Sequence, residues 1–443
     1  MKYYSTNKNS PIVDFKEATI NGQAPDNGLY FPERIPQVEK NLIEKINNFS
    51  NEEIAFRVIK SYVGGTIPEE KLFQIVSETV NFPIPLVKVN ESISSLELFH
   101  GPTLAFKDVG ARFMSRCLGH FMGRNAESGL NRKVIVLVAT SGDTGGAVAN
   151  GFYDVDGVDV IILYPSGKVS PVQEKQLTTL GKNITALEVQ GTFDDCQQMV
   201  KQAFADKDIR DKLFLTSANS INVARWLPQQ FYYFFAYKQW IDSPSGDGGN
   251  PPVISVPSGN FGNICAGILA MQSGLPVKHF IAACNANDIV TEYLQSEQLI
   301  PKQAVVTLSN AMDVGNPSNF VRILEIFHHQ FPELKSKLSS GSITDDETMA
   351  TIKEVYQKDN YLLDPHGAVG YLSLHRYLQK HRTEKGIFLE TAHPIKFPAA
   401  VETNTGKKLD MPLSLVSIMG REKISIKIDP LYPLLKEILM NRK

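Results

Sequence analysis

The sequence predicts an α/β fold built around parallel sheet, and three observations carry that prediction. Short runs rich in valine and isoleucine recur between residues 134 and 390 and are apolar throughout rather than alternating, as strands are when a sheet is covered on both faces. Helical stretches of roughly 10 to 15 residues separate them, which is the rhythm of βαβ units. Two of the strand-to-helix turns, 141–146 and 257–263, are rich in glycine, the residue that lets a backbone turn tightly or approach a ligand closely.

Taken in order, residues 1 to about 80 differ from the rest of the chain. They show helical apolar spacing at Leu42, Ile43, Ile46 and Phe49, and again at Leu72, Phe73, Ile75 and Val76, which predicts a small, mostly helical leading domain over 1–80. Asn81-Phe82-Pro83-Ile84-Pro85 punctuates its end. The stretch Val109–Met114 reads as helix. Val134–Val138 reads as a strand that stops at Thr140-Ser141-Gly142-Asp143-Thr144-Gly145-Gly146, and Ala147–Phe152 as the helix behind it. Val158–Tyr164 is the next strand, followed by a helical stretch from about Pro171 to Leu180 and strands at Ile184–Val189 and Leu213–Thr216. The aromatic run Tyr232, Tyr233, Phe234 and Phe235, between Gln229-Gln230 and Lys238, reads as a buried helix. Asp242–Pro252 has turn chemistry and reads as a surface loop. Val253–Val256, His279–Cys284 and Ile387–Glu390 complete the strands, and His328-His329 reads as part of a solvent-facing helix.

Composition narrows the function classes. The chain has 443 residues, 42% of them hydrophobic and 21% charged, with 45 Lys+Arg against 47 Asp+Glu. That is globular composition, and the balanced charge argues against nucleic acid as a partner. The four cysteines, Cys117, Cys196, Cys265 and Cys284, form no C-x-x-C pair and read as reduced, buried thiols. The start has no apolar segment of a secretory signal, and no run of about 18 apolar residues predicts a membrane span. The expectation is a cytoplasmic enzyme acting on a small molecule.

Three segments could carry chemistry. Each glycine-rich turn would open a helix, whose N-terminus offers free backbone N–H groups and the positive end of the macrodipole, so each is a candidate anion cradle. Neither matches the G-x-x-x-x-G-K-[ST] or G-x-G-x-x-G pattern, so a nucleoside triphosphate or a dinucleotide is not favoured. Open α/β sheets place ligands at strand carboxyl ends, which is where both turns fall. The third segment is Pro102-Thr103-Leu104-Ala105-Phe106-Lys107-Asp108. A lysine among Leu104, Ala105 and Phe106 has its ammonium destabilised, and the free amine can condense with an aldehyde. Alone, Lys107 reads rather as a snorkelling surface lysine at a helix start.

Those segments occur together with Ala139-Thr140-Ser141-Gly142-Asp143-Thr144-Gly145 and Ser258-Gly259-Asn260-Phe261-Gly262-Asn263. The set resembles the threonine synthase family, pyridoxal-phosphate enzymes of the fold type that includes the tryptophan synthase β chain. Ala24-Pro25-Asp26-Asn27-Gly28-Leu29-Tyr30-Phe31-Pro32-Glu33 is similar to the leading signature of the longer bacterial and fungal type, and Glu390-Thr391-Ala392-His393-Pro394-Ile395-Lys396-Phe397 to its C-terminal motif. The likeness runs in matching order from about residue 3 to about 400. One departure is Asp26-Asn27-Gly28, where the family often has two glycines after the aspartate.

The resemblance implies a fold type II α/β architecture divided as a leading domain (1–80), a catalytic region of two open α/β subdomains (81–400) and a C-terminal extension (401–443). It implies pyridoxal 5'-phosphate as cofactor, held as a Schiff base by Lys107, which then serves as general acid/base. Gly259, Asn260, Phe261, Gly262 and Asn263 would cradle the cofactor phosphate, and Thr391 would hydrogen-bond the pyridine nitrogen. Without the motif, Thr391 reads as a strand-end threonine satisfied by backbone. Ser141 and Thr144 would receive the substrate carboxylate. Asp143 repels a carboxylate, so it either orients the turn or a nearby water, or caps the helix. The implied substrate is O-phospho-L-homoserine, converted with water to L-threonine and phosphate. Lys168, Arg225 and Asn316 are candidates for its phosphate, against bland readings as a loop lysine, a surface arginine and an Asx-turn. His366 and His393 could titrate near neutrality and are given no catalytic role. The expected state is a monomer or homodimer. Two further readings stay open at this point: an eliminase or deaminase of another hydroxy- or phospho-amino acid, and a non-catalytic relative that binds such a ligand.

Overall fold

The structure, a computed structural model, describes residues 1–123, 134–243 and 250–442. The chain divides into two compact units, each assembled from separate stretches: Met1, Phe31–Phe106 and Trp226–Asp410 in the first, and Lys2–Tyr30, Lys107–Arg225 and Met411–Lys443 in the second.

The first unit is organised on a six-stranded sheet. Its strands are β4 (Leu86–Lys88), β5 (Ile93–Glu97), β10 (Val253–Pro257), β11 (His279–Cys284), β12 (Leu338–Ser342) and β13 (Gly386–Glu390), in the order β12-β11-β10-β13-β5-β4. All neighbours are parallel except β4 against β5. The central strands β10 and β13 are buried along their whole length, which is why their sequences show no alternation. The helix Pro365–Lys380 packs on this sheet through Ala368, Tyr371 and Leu374, against Val253 and Phe388. The apolar spacing read in the leading segment falls on the short helix Lys40–Glu44 with the 3-10 turn Ile46–Asn48, and on the helix Glu69–Thr79. Between them lies the helix Asn51–Val63, opened by a capping box of Ser50 and Glu53. The aromatic run lies on the helix Gln230–Asp242, with residues 230–236 buried as expected. In the predicted 242–252 loop, residues 244–249 lie outside the described residues.

The second unit holds a five-stranded parallel sheet: β6 (Val134–Ala139), β7 (Val158–Pro165), β8 (Ile184–Val189), β9 (Phe214–Thr216) and β14 (Ile426–Ile428), in the order β14-β8-β7-β6-β9. The chain runs from β6 outward to β8 and then returns to place β9 on the other side of β6. The switch in winding direction therefore falls between β6 and β9, where open sheets take ligands. Helices at Lys107–Met122, Asp143–Phe152, Pro171–Thr178 and Phe193–Ala205 accompany this sheet. The leading residues add helix Phe15–Asn21 and two short strands, β1 (Lys2–Ser5) and β2 (Val13–Asp14), paired antiparallel. β3 (Tyr30–Pro32) is the third strand of that small sheet, which the helical spacing of residues 1–80 did not reveal.

The carboxyl-terminal stretch closes an edge of this unit. β14 extends β8, and helix Tyr432–Met440 buries Leu435 and Leu439 beside Cys196, Met199 and Ala203. Lys423 Nζ lies 2.6 Å from Glu174 and 2.7 Å from Glu188. Burial alone would raise the Glu188 carboxyl. Lys423 and the hydroxyls of Ser166 and Ser425 override that and bring it down to about 2. A depressed carboxylate stabilises the fold above its ordinary value, near 4.5, and loses that contribution as pH falls toward 2. Glu188→Gln is therefore expected to flatten the fall of Tm across that window. Equal slopes for the two proteins in a pH series of thermal melts would refute the assignment.

One expectation is corrected here. His328 and His329 are not helical: the helix Phe320–Ile326 ends before them, and both sit at positive φ (49° and 57°). They are solvent-facing, and His329 Nε2 reaches Glu325 at 2.9 Å. The family departure at Asn27 has a physical reason. Its φ is +65°, and asparagine is among the few side chains that adopt the left-handed region as glycine does.

Candidate active site

The site residues of the first unit gather at the carboxyl ends of β5, β13 and β10. The register that pairs Val253 with Gly386 and Ser255 with Phe388 brings Pro257 level with Glu390, so the turn after β10 and Thr391 leave neighbouring strands at the same height. Thr391 is buried, and its hydroxyl makes no hydrogen bond among the described residues. Its backbone carbonyl does have a partner, the N–H of Phe106, at 2.9 Å. That bond belongs to a clamp joining two segments far apart in sequence. Leu98 N–H donates to Glu390 O (2.9 Å), His393 N–H to Leu104 O (3.1 Å), and the buried Lys396 Nζ to Thr103 O (2.8 Å). Leu104 is held at φ +57°, a conformation that a leucine adopts only when its surroundings impose it. The clamp thus fixes the backbone up to Phe106, and Lys107 is the next residue in the chain.

The turn after β10 is rigid for readable reasons. Ser258 N–H donates to Ala283 O and its hydroxyl to Val256 O. Asn260 Oδ1 accepts from Ser318 N–H at 3.0 Å and Ser318 Oγ at 2.7 Å, while Asn260 O accepts Asn319 Nδ2 at 3.1 Å. Asn319 is in turn held by Arg322 Nη1 at 2.8 Å, and that fully buried guanidinium lies 4.3 Å from the Trp226 ring centroid. Phe261 turns the chain at φ +61° into the helix Gly262–Gln272. Asn263 Nδ2 donates back to Pro257 O at 2.8 Å. The backbone N–H groups of Gly259 through Asn263 donate to no acceptor among the described residues. A Cβ on Gly259 would come within 2.7 Å of Ala311 O and of Met312 Cα. A backbone nest at a helix N-terminus, kept open by a glycine that admits no side chain, fits a phosphate group. With the unpartnered Thr391 hydroxyl beside it, this end of the six-stranded sheet fits a phosphorylated heterocycle. Asn316 is exposed in the loop that Asn260 holds.

In the second unit, Lys107 is the first residue of the helix Lys107–Met122 and is half-buried. Asp108 beside it is buried, as is Arg225, which packs against Gly110 of the same helix. Arg225 is not the surface arginine of the bland reading. Burial pulls its guanidinium down to about 10, against the opposing pull of the Asp108 carboxylate. Arg225 follows the carboxyl end of β9, and the turns after β6 and β7 leave the same edge of the sheet. After β6, Thr140 Oγ1 accepts from Gly142 N–H at 3.0 Å and Gly145 N–H at 2.9 Å, shaping a turn in which Gly142, at φ +137°, is the helix N-cap. Asp143 therefore does not cap; its Oδ1 accepts Gln173 Nε2 at 2.9 Å. The half-buried hydroxyls of Ser141 and Thr144 make no hydrogen bond among the described residues. Lys168 is exposed in the turn after β7.

Sequence reasoning missed Thr140, Gln173, Ser318, Asn319 and Arg322, which hold the two turns. Gln173 reaches Asp143 across 30 residues, and nothing local marks such a pair. His393 takes no charge here: burial and the neighbouring His100 bring it down to about 4. No group of three or more acidic, histidine or cysteine side chains that could hold a metal occurs among the described residues.

This fold, with a glycine-rich turn opening a helix at the carboxyl end of β10, defines a pyridoxal-phosphate-dependent enzyme of fold type II, and the family model for pyridoxal-phosphate-dependent enzymes matches residues 83–390. Models for the threonine synthase N terminus and C-terminal region match residues 2–80 and 367–438. A threonine synthase of Serratia marcescens is 44% identical over 415 residues, covering 94% of this chain and 93% of that one. The crystal structure of threonine synthase from Escherichia coli superposes with a TM-score of 0.90 at 41% identity, covering 100% of both chains. A pyridoxal-phosphate-bound threonine synthase from Brucella melitensis also gives 0.90, at 36% identity, over 99% of this chain and 98% of that one. The chain belongs to the threonine synthase family.

Proposed function

We propose that this chain converts O-phospho-L-homoserine and water to L-threonine and phosphate, the last step of threonine biosynthesis. The observation that carries the reading is the clamp between residues 98–106 and 390–396. The clamp bonds Phe106, the residue before Lys107 in the chain, to the backbone of Thr391, and this supports Lys107 as the amine and the Thr391 hydroxyl as the partner of the ring nitrogen.

When bound, pyridoxal 5'-phosphate supplies an electron sink for carbanions at the substrate carbons. Lys107 holds the cofactor and afterwards moves protons at Cα and Cβ. A helix N-terminus disfavours a cation, which suits an amine that must be available uncharged. Thr391 is a neutral partner, so it supports the ring nitrogen without holding it as a pyridinium. Ser141 and Thr144 donate to the substrate carboxylate, and Asp143, held by Gln173, keeps their turn in shape. Arg225, Lys168 and Asn316 receive the departing phosphate, a dianion that calls for cations and several donors. As a Cβ proton is removed, the leaving phosphate takes the electron pair of the Cγ–O bond; Cγ then receives a proton to become the methyl group, water adds its hydroxyl at Cβ, and a proton returns to Cα. The enzyme acts in the cytoplasm as a monomer or homodimer, with no nucleic-acid partner. No helix among the described residues is long and apolar enough to cross a membrane.

The test is stoichiometric. Purified protein with cofactor and O-phospho-L-homoserine is expected to release threonine and phosphate in equal amounts. Phosphate without threonine would make the chain an eliminase instead.

A further inference from the structure

His366 has no role in the reaction as derived above, yet it is 98% buried and bridges Asp364 by hydrogen bonds to the backbone of Ala311, the segment against which Gly259 packs. Asp364 is the N-cap of the helix Pro365–Lys380, its Oδ1 accepting Gly367 N–H at 2.7 Å. Its Oδ2 lies 2.5 Å from His366 Nδ1. On the far side of the ring, His366 Nε2 accepts the backbone N–H of Ala311 at 3.2 Å. Since Nε2 accepts, Nδ1 carries the proton and donates it to Asp364. Ala311 and the next residue, Met312, are the wall against which Gly259 sits without room for a Cβ. The same wall is tied from a second direction. Asp313 Oδ1 accepts Thr307 Oγ1 at 2.6 Å and Asn285 Nδ2 at 2.9 Å, and Asn285 follows β11 directly. Glu390 completes the base of the network. Burial and the Asp364 charge raise its carboxyl well above the usual range, and its Oε1 accepts Asp364 N–H at 2.7 Å.

We propose that His366 is a positioning residue for the cofactor phosphate: bridging Asp364 to Ala311, it holds the segment that sets the position of Gly259 and hence the aim of the N–H groups of the 259–263 turn. The inference rests on the reading that this turn carries the phosphate. Its range is short and mechanical. A ring fixed at both nitrogens fixes Ala311, a close-packed glycine transmits that position to the turn, and the N–H groups of the turn must converge on one anion.

Two substitutions separate this role from simple packing. In His366→Gln the amide oxygen can reach the Ala311 N–H, whereas in His366→Asn the shorter amide can serve Asp364 but not Ala311. The readout is the affinity of the apo-protein for pyridoxal 5'-phosphate and for pyridoxal, which lacks the phosphate, followed by absorbance or fluorescence titration. His366→Asn is expected to weaken pyridoxal 5'-phosphate by about fivefold to tenfold, the equivalent of one net hydrogen bond, and to leave pyridoxal unchanged. His366→Gln is expected to keep the wild-type ratio of the two. A parallel loss for both ligands in His366→Asn, or a Gln variant that loses selectivity as the Asn variant does, would overturn the proposal. If His366→Asn does not fold, the Gln variant decides alone: a retained ratio supports the proposal and a lost one refutes it. A wild-type protein that binds the two ligands equally would refute the phosphate turn itself, a failure recognisable before any variant is made.

Discussion

Lys107→Ala is expected to reduce threonine formation from O-phospho-L-homoserine by at least roughly 10³-fold, because one side chain serves as both cofactor anchor and proton carrier. The substitution is mild for the fold. Lys107 is half-buried at the first position of a 16-residue helix, and alanine is a good helix former. A loss of activity with unchanged Tm therefore reports chemistry rather than unfolding. The wild-type protein should develop a visible absorption band on addition of cofactor, and the variant should not. Borohydride reduction followed by peptide mapping should label the wild type at Lys107. Lys107→Arg is the informative companion. It keeps length and charge, but a guanidinium does not give up its proton at working pH, so it should be as inactive as the alanine variant. Unchanged turnover in Lys107→Ala, or a label at another position, would remove the centre of the assignment.

How much of the fold and site is legible in the sequence depends on the range of each interaction. Strand and helix positions are readable because parallel strands buried on both faces must be apolar throughout, as Val134–Ala139 and Val253–Pro257 are. The turns are readable because glycine is required where they bend or approach a neighbour. Strand order is not readable, since β13 inserts between β5 and β10 by pairing Gly386 with Ile93 on one side and with Val253 on the other, partners far apart in the chain. Nor is the return of the chain end to complete the sheet at β14: the three residues Ile426–Ile428 are too few for a periodic signal. Within the site, the residues that contribute a distinctive chemical group stand out, while those that hold them do not. Thr140, Gln173 and Asn319 are ordinary polar residues whose meaning lies only in what they touch. Arg225 shows the limit from the other side. An isolated arginine near a helix start reads as surface, and only the fold reveals Gly110 and Asp108 beside it, with the guanidinium out of water. The histidine pair at 328–329 is misread for a local reason, because nothing in Phe320–His329 signals that the helix stops one turn early.

Gly259→Ala should separate the phosphate turn from the rest of the site. The φ of Gly259 is not in the left-handed region, so the glycine is required by space, not by backbone conformation. An added methyl would sit 2.7 Å from Ala311 O and from Met312 Cα. Both are backbone atoms of a segment tied down at Ala311 and Asp313, so no rotamer change relieves the collision and the turn itself must move. Overpacking of this kind costs about 1–3 kcal/mol. If that cost falls on the cofactor-binding geometry, affinity for pyridoxal 5'-phosphate should drop by about 5-fold to 150-fold, with affinity for pyridoxal much less affected. Gly341→Ala is the control in the same sheet: its Cβ would meet only Ser373 Oγ, at 4.0 Å, and both affinities should stay at wild-type values. A Gly259→Ala protein that folds and binds the phosphorylated cofactor as tightly as wild type would show that the 259–263 turn is not what holds the phosphate, whatever Lys107 does.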